Sequence, residues 1–148
     1  MRRVGLKSAV IAAMLMLAAC SERPVGAVVA DTPRDVWHAG EEVELRYESC
    51  DTLSLYDLSI VVRREANRAS EGSVSVRVQC TSPSGVDFES PVVILPEERH
   101  RGGSFAENLG EWIRGARFAE EGDYLFTITP TNDLQGVWTV GVELRVEN

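Results

Sequence analysis

The chain has 148 residues and carries 15 Lys and Arg against 23 Asp and Glu, a formal net charge of −8. Clustered cations dominate binding to nucleic acid and to anionic lipid, so this balance argues against both as docking partners. One domain with a real core is the natural size for such a chain.

Arg2, Arg3 and Lys7 precede an uncharged apolar run from Ala9 to Ala19, and Leu17-Ala18-Ala19-Cys20 closes it. This is the pattern of a bacterial lipoprotein signal over residues 1–19. The run is about half the roughly 20 residues that a spanning helix needs. Cleavage before Cys20 predicts a diacylglyceryl group on its thiol and an acyl chain on its amine. Several chains anchor stably where a single one is marginal. Ser21 stands where an aspartate would signal inner-membrane retention, and Glu22 alone before Arg23 makes no acidic run. The expected location is therefore the outer membrane, facing the periplasm. Loss of Arg2, Arg3 and Lys7 leaves 12 basic residues against 23 acids, a formal charge of −11, and every remaining base is Arg. Lysine chemistry such as a Schiff base is thereby excluded.

Pro24, Gly26 and Pro33 interrupt any period after Cys20, so residues 20–36 read as a flexible tether and 37–148 as the folded domain. Val43 to Glu48 alternates apolar and charged residues, the mark of a half-buried strand. Leu55 to Arg63 and Ser73 to Cys80 repeat that pattern, with Val74, Val76, Val78 and Cys80 inward. Ser82-Pro83-Ser84-Gly85 makes a turn before Val86–Phe88, and Pro91–Leu95 is the return. Pro96 to Asn108 holds Glu97-Glu98, Arg99-His100-Arg101 and Gly102-Gly103, and reads as a long loop. A strand through Trp112 to Arg117, a turn at Glu120–Asp123 and a strand from Tyr124 follow. In the last strand Trp138, Val140, Val142, Leu144 and Val146 share one parity, which places Trp138 in the core. About eight short strands without helical periodicity predict an all-β, antiparallel two-sheet β-sandwich of jelly-roll type.

Cys50 and Cys80 form an even pair in a compartment that permits disulfides. Either they are bridged, which would contribute roughly 3–4 kcal/mol, or they are buried thiols acting as small hydrophobes. No Cys-x-x-Cys occurs and His38 and His100 are the only histidines, so neither a metal centre nor a cofactor is expected. The carboxylate pairs Glu41-Glu42, Glu97-Glu98 and Glu120-Glu121 sit beside Gly or Pro and read as solvated turns, not as a hydrolase pair. No nucleophile or phosphate-binding motif is present, and a calcium site from Asp51, Asp57 or Asp133 lacks the spaced Asp motif. A non-enzymatic protein is expected. Arg99, His100 and Arg101 on the long loop, with Trp112, are the candidate partner contacts, because loops on a rigid sandwich commonly carry binding.

Val36-Trp37-His38-Ala39-Gly40-Glu41-Glu42-Val43, Tyr56 to Arg63, Gly122-Asp123-Tyr124-Leu125-Phe126-Thr127-Ile128 and Leu134-Gln135-Gly136-Val137 make most of the mature chain resemble one family. It is similar to the gliding-motility-associated lipoproteins called GldH, of the Bacteroidetes. The resemblance departs at Arg99–Ser104 and Pro130–Asp133, both in expected loops. It implies a lipoprotein that acts by protein–protein interaction with the envelope machinery for gliding and secretion. The alternative is a carbohydrate-binding β-sandwich lipoprotein, with exposed tryptophans as the discriminating feature. Cys20→Ala is expected to release the protein from membranes and leave a larger precursor on immunoblots; a processed, membrane-bound form of the variant would contradict the anchor.

Overall fold

Period-two patterning alone builds the centre of this molecule. In the computed structural model, which describes residues 25–33, 36–65, 74–100 and 104–147, the alternating segments are strands whose apolar side chains mostly turn one way. Val43–Ser49 (β3), Tyr56–Glu65 (β4), Val74–Thr81 (β5) and Gly122–Pro130 (β10) are four of them. Val137–Val146 (β12) joins β4 on one edge, and Phe105–Ala116 (β9) joins it on the other.

Two antiparallel sheets result. The first has the order β1-β12-β4-β9-β8, where β1 is Val25–Asp31 and β8 is Glu97–His100. The second runs β3-β10-β5-β6, with β6 at Asp87–Glu89; β7, Val93–Leu95, also pairs with β5. A two-stranded piece, Val36–Trp37 (β2) with Leu134–Gln135 (β11), closes one end. Ile60, Val62, Val140 and Val142 of the first sheet face Val76, Phe126 and Ile128 of the second, all fully buried. Each such side chain contributes roughly 1.5–3 kcal/mol by leaving water. Trp37 is also fully buried, and its indole N–H donates to the Glu41 carbonyl at 3.0 Å, so the end plug is satisfied as well as packed.

The all-β sandwich expected from the sequence is what forms, with twelve strands among the described residues where about eight were expected. The extra ones are short, or lie where the sequence shows no alternation. Residues 25–31 are the first correction: they form β1, paired with β12 from Val25↔Arg145 to Asp31↔Thr139, so the folded domain includes this segment and does not begin at Trp37. An edge strand has one neighbour and needs little apolar content, and here Val28 and Ala30 pack against the core while Pro24 and Pro33 bracket the strand. Second, Glu97–His100 is a strand rather than part of a loop, and Arg99 and His100 lie opposite Glu107 and Ala106. Third, no bridge joins Cys50 to Cys80, because Cys80 is a free thiol. Strand β10 lies between β3 and β5, and Phe126 aligns Cys80 with Leu45, five positions before Cys50. Two strand spacings of about 4.8 Å and five steps of about 3.3 Å put the pair far beyond disulfide reach. Cys50 itself is disulfide-bonded. Burial pushes the Cys80 thiol up to about 11.

At Pro96 the chain leaves the second sheet and enters the first, since β7 pairs with β5 and β8 with β9. Gly110 lies beneath that crossing. A Cβ there would overlap the Ile94 carbonyl and approach Leu95 Cα to 3.1 Å, so the crossing needs a residue without one. Gly110→Ala is expected to cost about 1–3 kcal/mol, read as a lower urea midpoint at unchanged slope; a midpoint equal to wild type would contradict this packing.

Candidate binding face

The outer face of the first sheet, turned away from the second sheet, carries three zones. They follow from cross-strand register, which sets side chains of paired strands in rows.

The first zone depends on a bulge. Val137 and Val140 are both buried although they stand three apart, and the pairing with β4 advances from Arg64 to Arg63 while β12 advances from Val137 to Thr139. Trp138 is the extra residue, and a bulge of this kind re-aims a side chain. The ring therefore turns outward and is 50% exposed, which corrects the core placement read from parity. Two donors from the end of β1 take the carbonyls around the bulge: Thr32 N–H reaches the Trp138 carbonyl at 3.0 Å and Thr32 Oγ1 the Val137 carbonyl at 2.9 Å. The Trp138 indole N–H donates to the Glu65 carboxylate at 3.3 Å, and Phe105 meets the ring edge-on at 4.8 Å between centroids. Glu65 and Phe105 are register partners, so β4 and β9 together position the indole. In the next row Arg63 Nη2 donates to Glu107 Oε1 at 3.3 Å. The Glu107 side chain is only 5% exposed, so its charge is met by the guanidinium lying over it.

The second zone is a strip of small and apolar residues, Val29, Gly141, Val61 and Leu109, aligned across β1, β12, β4 and β9. Beyond it lies the third, a trough of about 510 Å³ between β4, β9 and β12. Asp57, Glu111, Glu143 and Glu147 line it with Arg114 and Arg145, and no aromatic ring does. Glu111 accepts twice from Arg114, once at 3.0 Å from Nη2, and those hydrogen bonds raise the guanidinium pKa further. The Asp57 carboxylate accepts from Gly115 N–H at 3.1 Å.

Of the residues singled out from the sequence, Asp57 lines the trough, and the candidate contacts fall elsewhere. Cys20 and Arg101 lie outside the described residues. Arg99 and His100 are on the edge strand of the first sheet. Trp112 is half-buried, packs edge-on against Phe126 of the core at 5.8 Å and lies tilted against Phe88 at 6.4 Å. Its indole N–H is buried without an acceptor. It belongs to the interior margin, not to a contact surface. Asp51 is engaged by its own turn, accepting from Leu53 N–H at 2.9 Å, Ser54 N–H at 3.0 Å and the Ser54 hydroxyl. Those hydrogen bonds, the Ser54 hydroxyl first, hold its carboxyl down at about 2. Asp133 caps the β2–β11 end, accepting from Ala39 N–H at 2.8 Å, with His38 Nδ1 at 3.5 Å. Among the described residues no group of three His, Cys, Asp or Glu is placed to hold a metal ion. The one sequence signal for Trp138 was the three-residue spacing of Val137 and Val140.

Fold and face together define an antiparallel β-sandwich with a decorated open sheet. No protein-family model and no curated protein matches the chain. Solved structures similar to it include a non-crystalline cellulose specific carbohydrate-binding module, CBM28, at 14% identity and a TM-score of 0.44, covering 82% of this chain and 73% of that one. The Yersinia pseudotuberculosis-derived mitogen is similar at 6% identity and a TM-score of 0.40, covering 84% and 86%. Murine APRIL is similar at 11% identity and a TM-score of 0.37, covering 80% and 98%. At these distances the likeness concerns β-architecture and nothing finer.

Thr32→Val keeps the shape of residue 32 but leaves the Val137 carbonyl without its hydroxyl donor. A loss of about 1 kcal/mol and a red shift of the exposed tryptophan's fluorescence are expected; unchanged stability and emission would show that β1 does not hold the bulge.

Proposed function

We propose that this chain is a non-enzymatic binding module that holds an extended carbohydrate on the open face of its first sheet. The observation that supports this most is Trp138, a half-exposed indole held by Phe105 and Glu65. An aromatic face offers apolar area to the C–H surface of a sugar ring at little entropic cost. The trough supplies donors and acceptors for hydroxyls further along. Engagement of Glu111 by Arg114 and of Asp57 by Gly115 suits holding a ligand better than moving protons.

The setting we propose is the periplasmic face of the outer membrane, through lipid on Cys20. Lipidation takes the Cys20 sulfur permanently and so excludes any disulfide it would make with Cys50. The non-reducing mass of membrane-extracted protein separates the two. A second reading, docking to gliding or secretion machinery as the GldH resemblance implies, is favoured by a different surface: Val86, Phe88, Val92 and Ile94 are 67%, 51%, 45% and 60% exposed around the β6–β7 edge.

Affinity electrophoresis in polysaccharide gels separates these readings. Trp138→Ala is expected to weaken retention about tenfold, equivalent to roughly 1.4 kcal/mol, while Phe88→Ser leaves it unchanged. Loss of in-cell crosslinks to envelope proteins in Phe88→Ser, with no polysaccharide retarding the wild type, would replace the first reading by the second.

A further inference from the structure

Resting on the carbohydrate reading, we infer that the ligand is an uncharged polysaccharide whose chain lies along β12, one sugar against Trp138 and later ones in the trough. Length comes first. Trp138 and Arg145 are seven residues apart with one in the bulge, so six regular steps of about 3.3 Å separate aromatic and polar ends by about 20 Å. A single sugar cannot touch both, whereas a chain can.

Charge decides the class. A uronate or sulfated sugar needs an unengaged cation, and the guanidinium of Arg63, whose register partner Thr139 follows Trp138, is already over the buried Glu107 carboxylate. In the trough Arg114 is held by Glu111, and Arg145, which makes no ion pair among the described residues, has the carboxylates Glu143 and Glu147 two positions away on either side along the chain. Four carboxylates against two guanidiniums leave the trough net negative, so a polyanion is repelled there. An amino polysaccharide needs carboxylates that are not already occupied. Those of Asp57, Glu107 and Glu111 each accept from a group of this chain, Glu143 has its own interaction partner, and Glu147 acts through its charge on the Arg114 guanidinium beside it in the trough. Hydroxyls fit without conflict, since each both donates and accepts and can meet a guanidinium or a carboxylate equally. Between the ends, Val29, Val61 and Leu109 present no charge, and Gly141 is buried beside Val29, whose side chain stands 3.2 Å from where a Cβ would lie.

The test uses the full processed protein against three kinds of soluble probe: neutral polysaccharides (a mixed-linkage β-glucan, a galactomannan and a dextran), polygalacturonate and chitosan. Retention by at least one neutral probe is expected, with a Kd that changes by less than about twofold between low and high salt, because screening acts only on charge pairs. Trp138→Ala and Arg145→Gln should each weaken that binding, the first about tenfold, and Trp138→Phe should restore part of it. Thermal unfolding of every variant confirms that each is folded. Preferential binding of polygalacturonate or chitosan that collapses in high salt would overturn the uncharged class and leave the carbohydrate reading standing. Neutral binding indifferent to both substitutions would overturn the placement along β12. No retention by any probe, with folded wild type, would overturn the carbohydrate reading itself.

Discussion

The bulge at Trp138 is the constraint on which the rest of the binding face depends. Strand β12 sits between β1 and β4, so both of its edges must be paired, and an extra residue in such a strand leaves carbonyls that need donors. Thr32 provides two of them from the end of β1. The N-terminal strand therefore does more than cover an edge. It stabilises the irregularity that turns an indole from the core to the surface. Beyond the bulge β12 returns to strict alternation, and Val140, Val142 and Leu144 fill the interior while Glu143 and Arg145 face the trough.

Where burial alone sets the pattern, the fold can be read from the residues. Strands β3, β4, β5 and β10 have their cores at the positions period two predicts, because one face of each meets the opposing sheet and the other meets water. Residues whose placement depends on pairing are not legible in this way. Nothing local in Val25 to Asp31 says that β12 will pair with it, and a segment rich in Gly and Ala between prolines has the composition of a tether. Trp138 was misread because alternation is counted from either end of a run, and one inserted residue reverses every assignment before it. Arg99 and His100 look like loop residues because an edge strand with charged side chains has no apolar face to betray it. The Cys50 and Cys80 pairing depends on strand order, which places β10 between them.

The candidate site was the least legible part. Its members come from β1, β4, β9 and β12, and none is adjacent to another element's contribution in sequence. Three zones in one plane are created by register: an aromatic end, a flat strip and a charged end in which Arg114 pairs with Glu111. Such polar surface offers directional donors and acceptors, a combination suited to hydroxyl-rich ligands. The exposed apolar edge at Phe88 and Ile94 is separate from it, since β6 and β7 pair with β5 in the other sheet, and a protein partner there would leave the open face available.

The most direct measurement is a titration of isotope-labelled protein with a neutral polysaccharide, following the three tryptophan indole N–H signals by NMR. If Trp138 is the platform, its resonance shifts together with backbone signals of Gly141, Glu143 and Arg145, while the signal of the buried Trp37 stays in place. Shifts confined to the β6–β7 edge around Phe88, with Trp138 unmoved, would contradict the account.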